Sequence, residues 1–136
     1  MRPNVSILIA TRDRAEFIPQ IMRCIDRQTY PKQNIEIIIG DDGKYPIKYL
    51  IPNSVKYIRY NQPVLIGKKR NDLKKAASGD ILVTMDDDDY YFETYIDHAV
   101  ELLLKNPSVE FAALKESYVF YPMHWSTVIS GPWEKN

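Results

Sequence analysis

An open, mostly parallel α/β sheet with helices on its faces is the fold class this chain predicts, and three observations carry that prediction. Short apolar runs alternate with stretches of helical spacing in the order β-α-β-β-α-β-α-β, the pattern of a layered α/β domain. Three of the runs, 5–10, 35–39 and 81–85, are nearly continuous in apolar residues, as strands covered on both faces should be. Polar clusters follow those same runs: Thr11-Arg12-Asp13, Asp41-Asp42-Gly43 and Asp86-Asp87-Asp88-Asp89. In open α/β sheets ligands bind beyond the carboxyl ends of the strands, so three segments converge on one edge. At 136 residues the chain suits one domain with a real core, or part of a larger one.

The first strand, 5–10, leads to Asp13 and Glu16, spaced as a capping box for a helix that Phe17, Ile21, Cys24 and Ile25 carry towards Gln28. Pro19 offers an alternative first turn for that helix. The second strand, 35–39, closes on the turn cluster Gly40-Asp41-Asp42-Gly43. Residues 55–60 alternate as a third, until Asn61-Gln62-Pro63 breaks it. Residues 67–78 read as a basic helix with Leu73, Ala76 and Ala77 on its apolar side and Gly79 as its stop. The fourth strand is 81–85. Phe92, Tyr95, Ile96, Ala99, Val100 and Leu103 then define an amphipathic helix over 92–104, ended by Asn106-Pro107. Residues 109–121 return to strand character, and 122–136 form an irregular tail in which Trp125 and Trp133 are candidate docking residues. The chain, 1–136, is predicted as a single α/β domain.

Lys plus Arg equals Asp plus Glu at 18 each, so no global field favours nucleic acid or an anionic membrane. The two signs are nonetheless segregated, basic residues crowding 68–75 and acidic ones 86–89. Cys24 is the single cysteine, which excludes a disulfide framework, and its place on the apolar side of a helix reads as an inert core thiol. The sequence shows no secretory leader pattern and no integral membrane segment, and a cytoplasmic location is the expectation.

The aspartate block carries the chemistry. Four adjacent carboxylates repel one another, so the block costs stability unless a cation or basic groups offset it. A solvated acidic turn is the plain alternative, but such turns seldom follow a β-rich apolar run directly and lead into Tyr90, Tyr91 and Phe92. In extended backbone Asp86 and Asp88 share one face, Asp87 and Asp89 the other. One of the first pair can ligate Mn2+ or Mg2+ directly with its neighbour acting through water, and a diphosphate can complete the coordination. Asp87 is then free to accept from a ribose hydroxyl. Asp41-Asp42-Gly43 is everyday turn chemistry, yet a carboxylate at a strand tip can also accept the imino N–H of a uracil-type base. Lys68, Lys69 and Arg70 stand near a helix N-terminus, where backbone N–H groups and cations both meet a diphosphate. Lys68, Lys74 and Lys75 have the plainer reading of a solvated helix face. A helix-loop-helix calcium site fits poorly, because Tyr91 stands where Gly is needed and Asp97 where Glu is preferred. A P-loop is disfavoured, because Gly67-Lys68-Lys69 lacks its partner glycine. His98 reads as surface packing, and nothing supports a ligand role for His124.

Val5 through Arg14, Gln28-Thr29-Tyr30-Pro31, Asp41-Asp42-Gly43, Gly67-Lys68-Lys69-Arg70-Asn71, and Gly79-Asp80-Ile81 running into Asp86-Asp87-Asp88-Asp89-Tyr90 together resemble the family 2 glycosyltransferases of GT-A fold. Each motif alone is weak; five in the right order are specific. The resemblance implies a Rossmann-like nucleotide-sugar-binding fold, with this chain matching its donor-binding N-terminal half. It implies transfer of a sugar from a nucleotide-diphosphate donor, UDP foremost, to an acceptor hydroxyl with inversion and a divalent metal. Asp42 then corresponds to the uracil-binding carboxylate with Asp41 beside it, and Thr11 and Arg12 to residues lining the base pocket. Arg70 corresponds to the basic residue near the donor, Asp87 lies near the ribose, and Asp88, with Asp86, holds the metal. The register within four identical residues is open by one position.

The family's second half usually supplies the acceptor site and the base that deprotonates the acceptor. Here no acidic residue after Asp97 has a base-like context; Glu116, on the predicted last strand, is a speculative candidate and the base stays unassigned. The acceptor (glycan, protein or lipid) is unassigned too, as is a homo-oligomeric or second-subunit partner. Two readings compete with the transferase. One is a nucleotide-sugar-binding module, or slow hydrolase, lacking its own acceptor site. The other is a sugar nucleotidyltransferase, which needs glycines that Thr11-Arg12-Asp13-Arg14 does not provide.

Overall fold

A computed structural model describes residues 2–132. The chain divides into two compact units, one ending at Val100 and the other starting at Glu101. The first unit holds β1 (Val5–Thr11), β2 (Ile35–Asp41), β3 (Lys56–Arg59) and β4 (Ile81–Thr84), ordered β3-β2-β1-β4 with every pairing parallel. Helices α1 (Ile18–Asp26) and α2 (Ile66–Ala76) lie wholly within it, and α3 (Tyr95–Lys105) starts in it. The expected open parallel sheet with flanking helices is present.

β1 is central, and its partners explain its unbroken apolar run. Val5, Ile7 and Ile9 join Ile21, Cys24, Ile25, Ile96 and Val100 in one core, while Leu8 packs with Ile38 and Leu73 in a second. Alternate side chains of a strand point to opposite faces, so covering both faces demands apolar residues at nearly every position. Ser6 is the exception. Its hydroxyl donates to Glu36 at 2.5 Å and accepts the Gly79 N–H at 2.8 Å. Gly79 does not end α2, which stops at Ala76. A Cβ there would sit 2.6 Å from the Ser6 nitrogen, so close passage beside β1 is what demands glycine.

From β1 the chain builds sideways through β2 to β3, then returns so that β4 pairs with the other edge of β1. Strand order therefore reverses beside β1, and a crevice at the carboxyl ends is expected there.

The capping reading of Asp13 changes as well. Asp13 does not cap a helix: it has φ of 52°, and its carboxylate accepts the Lys44 N–H at 2.5 Å. The segment instead opens with a 3-10 turn at Ala15–Phe17, and α1 begins at Ile18 with Pro19 in its first turn, the alternative that proline offered. The Gln28-Thr29-Tyr30 motif turns out to be a clamp. Gln28 Nε2 donates to the carbonyls of Cys24 (3.1 Å) and Phe92 (2.7 Å), and its Oε1 accepts the Ile96 N–H at 3.0 Å, tying the end of α1 to the start of α3. The Tyr30 hydroxyl donates to the Pro3 carbonyl at 2.6 Å.

In the second unit β5 (Ser117–Tyr121) and β6 (Ser126–Ser130) pair antiparallel around a 3-10 turn at Pro122–His124. The strand predicted over 109–121 is thus confined to its last five residues, and the tail predicted as irregular contains β6. The β-branched Thr127, Val128 and Ile129 favour that strand, and Trp125 at φ of 47° completes the reversal. Trp125 is exposed and meets the Phe120 ring edge-on at 6.1 Å; Trp133 lies outside the described residues. Among the described residues no helix is long and apolar enough to cross a membrane.

Candidate functional site

A cavity of about 660 Å³ opens where the strand order reverses, bordered by the ends of β1, β2 and β4 and by the start of α2. Its acidic wall continues β4. Val83, Met85 and Asp87 are buried while Asp86 and Asp88 are exposed, so the two-residue period persists past Thr84 and turns Asp87 inward. Asp87 accepts from the Thr11 hydroxyl at 2.5 Å and from an Arg14 N–H at 3.1 Å. The same Arg14 nitrogen lies 2.6 Å from Asp88 Oδ2. The Asp87 hydrogen bond, followed by the charges of Asp87 and Asp88, raises the Arg14 pKa above its ordinary value. Asp86 stands 3.6 Å from the Arg70 guanidinium, and its own N–H donates to the Tyr91 hydroxyl at 2.7 Å. Burial first, then the charges of Asp86, Asp88 and Asp87, pushes the Asp89 carboxyl up.

The tip of β2 sends its two aspartates to different tasks. Asp41 is consumed internally: one oxygen accepts the Gly43 N–H at 2.8 Å, and the other lies 2.5 Å from the Tyr57 hydroxyl and 3.0 Å from Arg59. Asp42 faces the cavity, where its Oδ1 pairs with the Lys69 ammonium and its Oδ2 accepts the Val64 N–H at 2.9 Å. Burial alone would raise the Asp42 carboxyl. The Lys69 hydrogen bond, the Val64 N–H and the charges of Lys69 and Arg12 outweigh it and hold the group below its usual range. Lys69 also donates to the Thr11 carbonyl at 2.9 Å, bracing α2 against both β1 and β2.

Of the predicted site residues, Thr11, Arg12, Asp42, Asp86, Asp87 and Asp88 all border this cavity. Arg70 is exposed beside Asp86, and Asp41 is turned away into its own network. Glu116 is exposed and precedes β5 instead of lying on it. His98 is exposed on α3, consistent with a surface role. Arg14 and the partnership of Lys69 with Asp42 are new. The need of four carboxylates for a nearby cation was the signal for the first. The helical spacing of Lys69, Leu73 and Ala76, which puts the lysine on the inner face, was the signal for the second.

Asp86 and Asp88 present hard oxygen donors to the cavity. The described residues contain no group of three His, Cys, Asp or Glu able to hold an ion unaided. Carboxylate oxygens are the donors Mg2+ and Mn2+ prefer, and two of them fill only part of an octahedral shell, so an ion here would need oxygens from a further ligand.

A parallel α/β sheet with a cavity at its switch point is a ligand-binding architecture. The chain belongs to Glycosyl transferase family 2, whose family model matches residues 6–135. It is 32% identical over 96 residues to the poly(ribitol-phosphate) beta-glucosyltransferase of Bacillus spizizenii, covering 64% of this chain and 15% of that protein. It is also 32% identical over 97 residues to the uncharacterized glycosyltransferase YwdF of Bacillus subtilis, covering 69% of this chain and 36% of that one. An uncharacterized glycosyltransferase of Haemophilus influenzae is 27% identical over 112 residues, covering 79% and 37%. The chain thus spans a minor part of the length of the curated relatives it matches. Among solved structures, the mannosyltransferase PcManGT of Pyrobaculum calidifontis, in complex with GDP-Man and Mn2+, superposes with TM-score 0.71 at 18% identity, covering 92% of this chain and 38% of that one. S. aureus TarS (residues 1–349) in complex with UDP-GlcNAc gives 0.69 at 21% identity, covering 76% and 32%. These likenesses show the shared GT-A fold.

Proposed function

We propose that this chain binds the nucleotide-sugar donor of a metal-dependent glycosyl transfer that proceeds with inversion, UDP being the expected nucleotide. The observation that carries the proposal is one cavity with two different ends. A buried carboxylate–ammonium pair stands at the tip of β2, and a carboxylate face suited to a cation stands at the tip of β4. That span suits a nucleoside diphosphate, base at one end and phosphates at the other. The complexes of structural relatives with UDP-GlcNAc, and with GDP-Man and Mn2+, support the same reading.

In this reading Asp88 and Asp86 would hold Mn2+ or Mg2+, which would supply positive charge beside the diphosphate. Thr11 and Arg14 fix Asp87 at the wall, where its remaining lone pairs can accept from a ribose hydroxyl. Arg70, exposed beside Asp86, adds a mobile positive charge for phosphate oxygens. Inversion also needs a group that takes the acceptor's proton, and no residue of this site is assigned that role. A donor-binding module that needs further chain for transfer is the second reading. It is favoured by the small share of its relatives that this chain spans.

Calorimetric titration with UDP-GlcNAc and GDP-Man, with and without Mn2+, tests the proposal. Binding should require the metal, and Asp88→Asn should weaken it by about 30-fold or more. Metal-independent binding, or an unchanged affinity in Asp88→Asn, rejects Asp88 as the ligand. Release of nucleoside diphosphate only as slow hydrolysis across a broad acceptor panel selects the module over the transferase.

A further inference from the structure

A second cavity, of about 200 Å³, lies between α1 and the segment that follows the acidic tip of β4. Gln20, Arg23 and Arg27 line it from the helix side, and Tyr90, Tyr91 and Glu93 from the other. The first three stand at intervals of three and four residues, so one side of the helix offers an amide and two guanidiniums in a row. The opposite wall is fixed by its backbone. The Phe92 carbonyl accepts from Gln28 at 2.7 Å, and the Glu93 carbonyl accepts the Thr29 N–H at 2.8 Å.

The two arginines are not equivalent. Arg27 donates to Glu93 at 2.8 Å, and that bond, then the neighbouring Tyr90 phenol and the Glu93 charge, raise its pKa above the ordinary value. Arg23 has no acid beside it: among the described residues its guanidinium makes no hydrogen bond or ion pair. Two cations against one carboxylate leave the lining with a net charge of +1. A guanidinium has five N–H donors, so Arg23 keeps all of its own and Arg27 all but one. Gln20 Nε2 reaches only the Asp89 carbonyl, at 3.5 Å, and has a second N–H to give. Tyr90, 58% exposed, stands at the rim and meets Phe92 edge-on at 5.7 Å.

We propose that this cavity is a second anion site, in which Arg23 and Arg27 hold a phosphate group while Gln20 and Tyr90 face whatever that group carries. It stands independently of the donor-site reading, because the two cavities share no lining residue. The choice of phosphate follows from Glu93. A carboxylate ligand would only duplicate the partner that Arg27 already has. A phosphate carries about −1.5 to −2 charges near pH 7 and three accepting oxygens, enough to engage both guanidinium forks with Glu93 in place. The size agrees, since about 200 Å³ is smaller than the pockets that enclose drug-sized ligands. Two bonds join the site to the acidic tip: the Tyr91 hydroxyl accepts the Asp86 N–H at 2.7 Å, and Gln20 holds the Asp89 carbonyl. The carboxylates of that tip act against any anion, so the affinity should be modest.

Amide NMR spectra of the intact chain, titrated without metal, test this with inorganic phosphate, glucose 6-phosphate and succinate. Both phosphate probes should shift the amides of residues 20–27 and 90–93, with Kd of about 1 mM or lower in low-salt buffer. Succinate should bind at least about fivefold more weakly. Tighter binding of glucose 6-phosphate than of inorganic phosphate identifies a phosphate ester as the occupant, and the reverse identifies the free ion. Arg23→Met, a change at an exposed side chain with no bond to lose, should weaken both by about tenfold or more. Glu93→Gln removes the opposing negative charge and should tighten both about threefold. Arg12→Met, in the strand-tip cavity, should change neither. Shifts confined to residues 11–14 and 66–70 overturn the proposal, as does an unchanged affinity in Arg23→Met. Succinate binding as tightly as phosphate, or no shift with any probe, overturns it equally.

Discussion

Replacing Arg14 by methionine would strip the acidic tip of β4 of the cation that holds it. One guanidinium nitrogen lies 3.1 Å from Asp87 Oδ1 and 2.6 Å from Asp88 Oδ2. The two contacts differ in worth. Asp87 is 2% exposed and its other partner is the neutral Thr11 hydroxyl, so losing the charged bond strands a buried carboxylate beside three more. A hydrogen bond to a buried charged group contributes about 1.5–3 kcal/mol. Asp88 is 41% exposed, and its bond adds at most a few tenths. Arg14 is itself about half-exposed, which pulls the sum towards the lower part of the range, roughly 2 kcal/mol at low salt. For a chain of this size that loss lowers Tm by about 4–8 °C. Thermal unfolding followed by circular dichroism at pH 7 would measure it, first in dilute buffer and then in about 0.5 M NaCl, where the solvent-facing part is screened and the deficit should shrink. Arg14→Lys keeps the charge without the planar fork and should recover part of the loss. Millimolar Mn2+ should narrow the gap as well, because it offsets the same carboxylates. An Arg14→Met melting curve that coincides with wild type at low salt would refute the assignment of Arg14 as counter-ion.

Gln28→Leu removes two donated bonds and one accepted bond from a buried junction, leaving the Ile96 N–H without its acceptor. It should cost about 3 kcal/mol in urea unfolding, and Gln28→Glu should not rescue it at neutral pH, because a carboxylate oxygen would then face the Cys24 and Phe92 carbonyls. An unchanged urea midpoint would show that the clamp between α1 and α3 is incidental. Glu36 supplies an acid-dependent contribution. Burial acts to raise its carboxyl, but Lys56, Ser6 and Ser78 prevail and lower it from 4.5 to about 2. A folded-state value below the unfolded one stabilises above about pH 4.5, and the contribution is lost as pH falls towards 2. Because Lys56 is half-exposed, about 2 kcal/mol is a fair size at neutral pH. Glu36→Gln should therefore flatten the stability profile between those pH values, and parallel profiles for variant and wild type would exclude the linkage.

The fold was legible because β1 and β2 are covered on both faces, which forces the continuous apolar runs that name them. The inward turn of Asp87 was legible for a related reason, since a strand's two-residue period does not stop where its hydrogen bonds do. The division of labour between Asp41 and Asp42 was not. The residues are adjacent and chemically identical, and they part only because Tyr57 and Arg59 claim one while Val64 and Lys69 claim the other. Arg14 was hidden by a local pattern that tertiary structure overrides. The spacing of Asp13 and Glu16 satisfies a capping box, but the Asp13 carboxylate finds the Lys44 N–H, and the left-handed residue that results sets the path to Arg14.

Lys69 is the instructive case, because its place at a helix N-terminus suggested a diphosphate contact, while its spacing with Leu73 and Ala76 turns it inward to Asp42. Lys68, Lys74 and Lys75 are exposed on α2, and a basic run invites one reading for all of its members. Only Lys69 shares the helical face of Leu73 and Ala76. An ammonium on that face is costly unless a carboxylate and further acceptors meet it. A lysine on the apolar stripe of a helix that packs over a strand thus calls for an acid at that strand's tip, and Asp42, just past β2, is the acid in reach. Taken one residue at a time, the basic run separates into an exposed face and one buried lysine that braces α2 against the tips of β1 and β2.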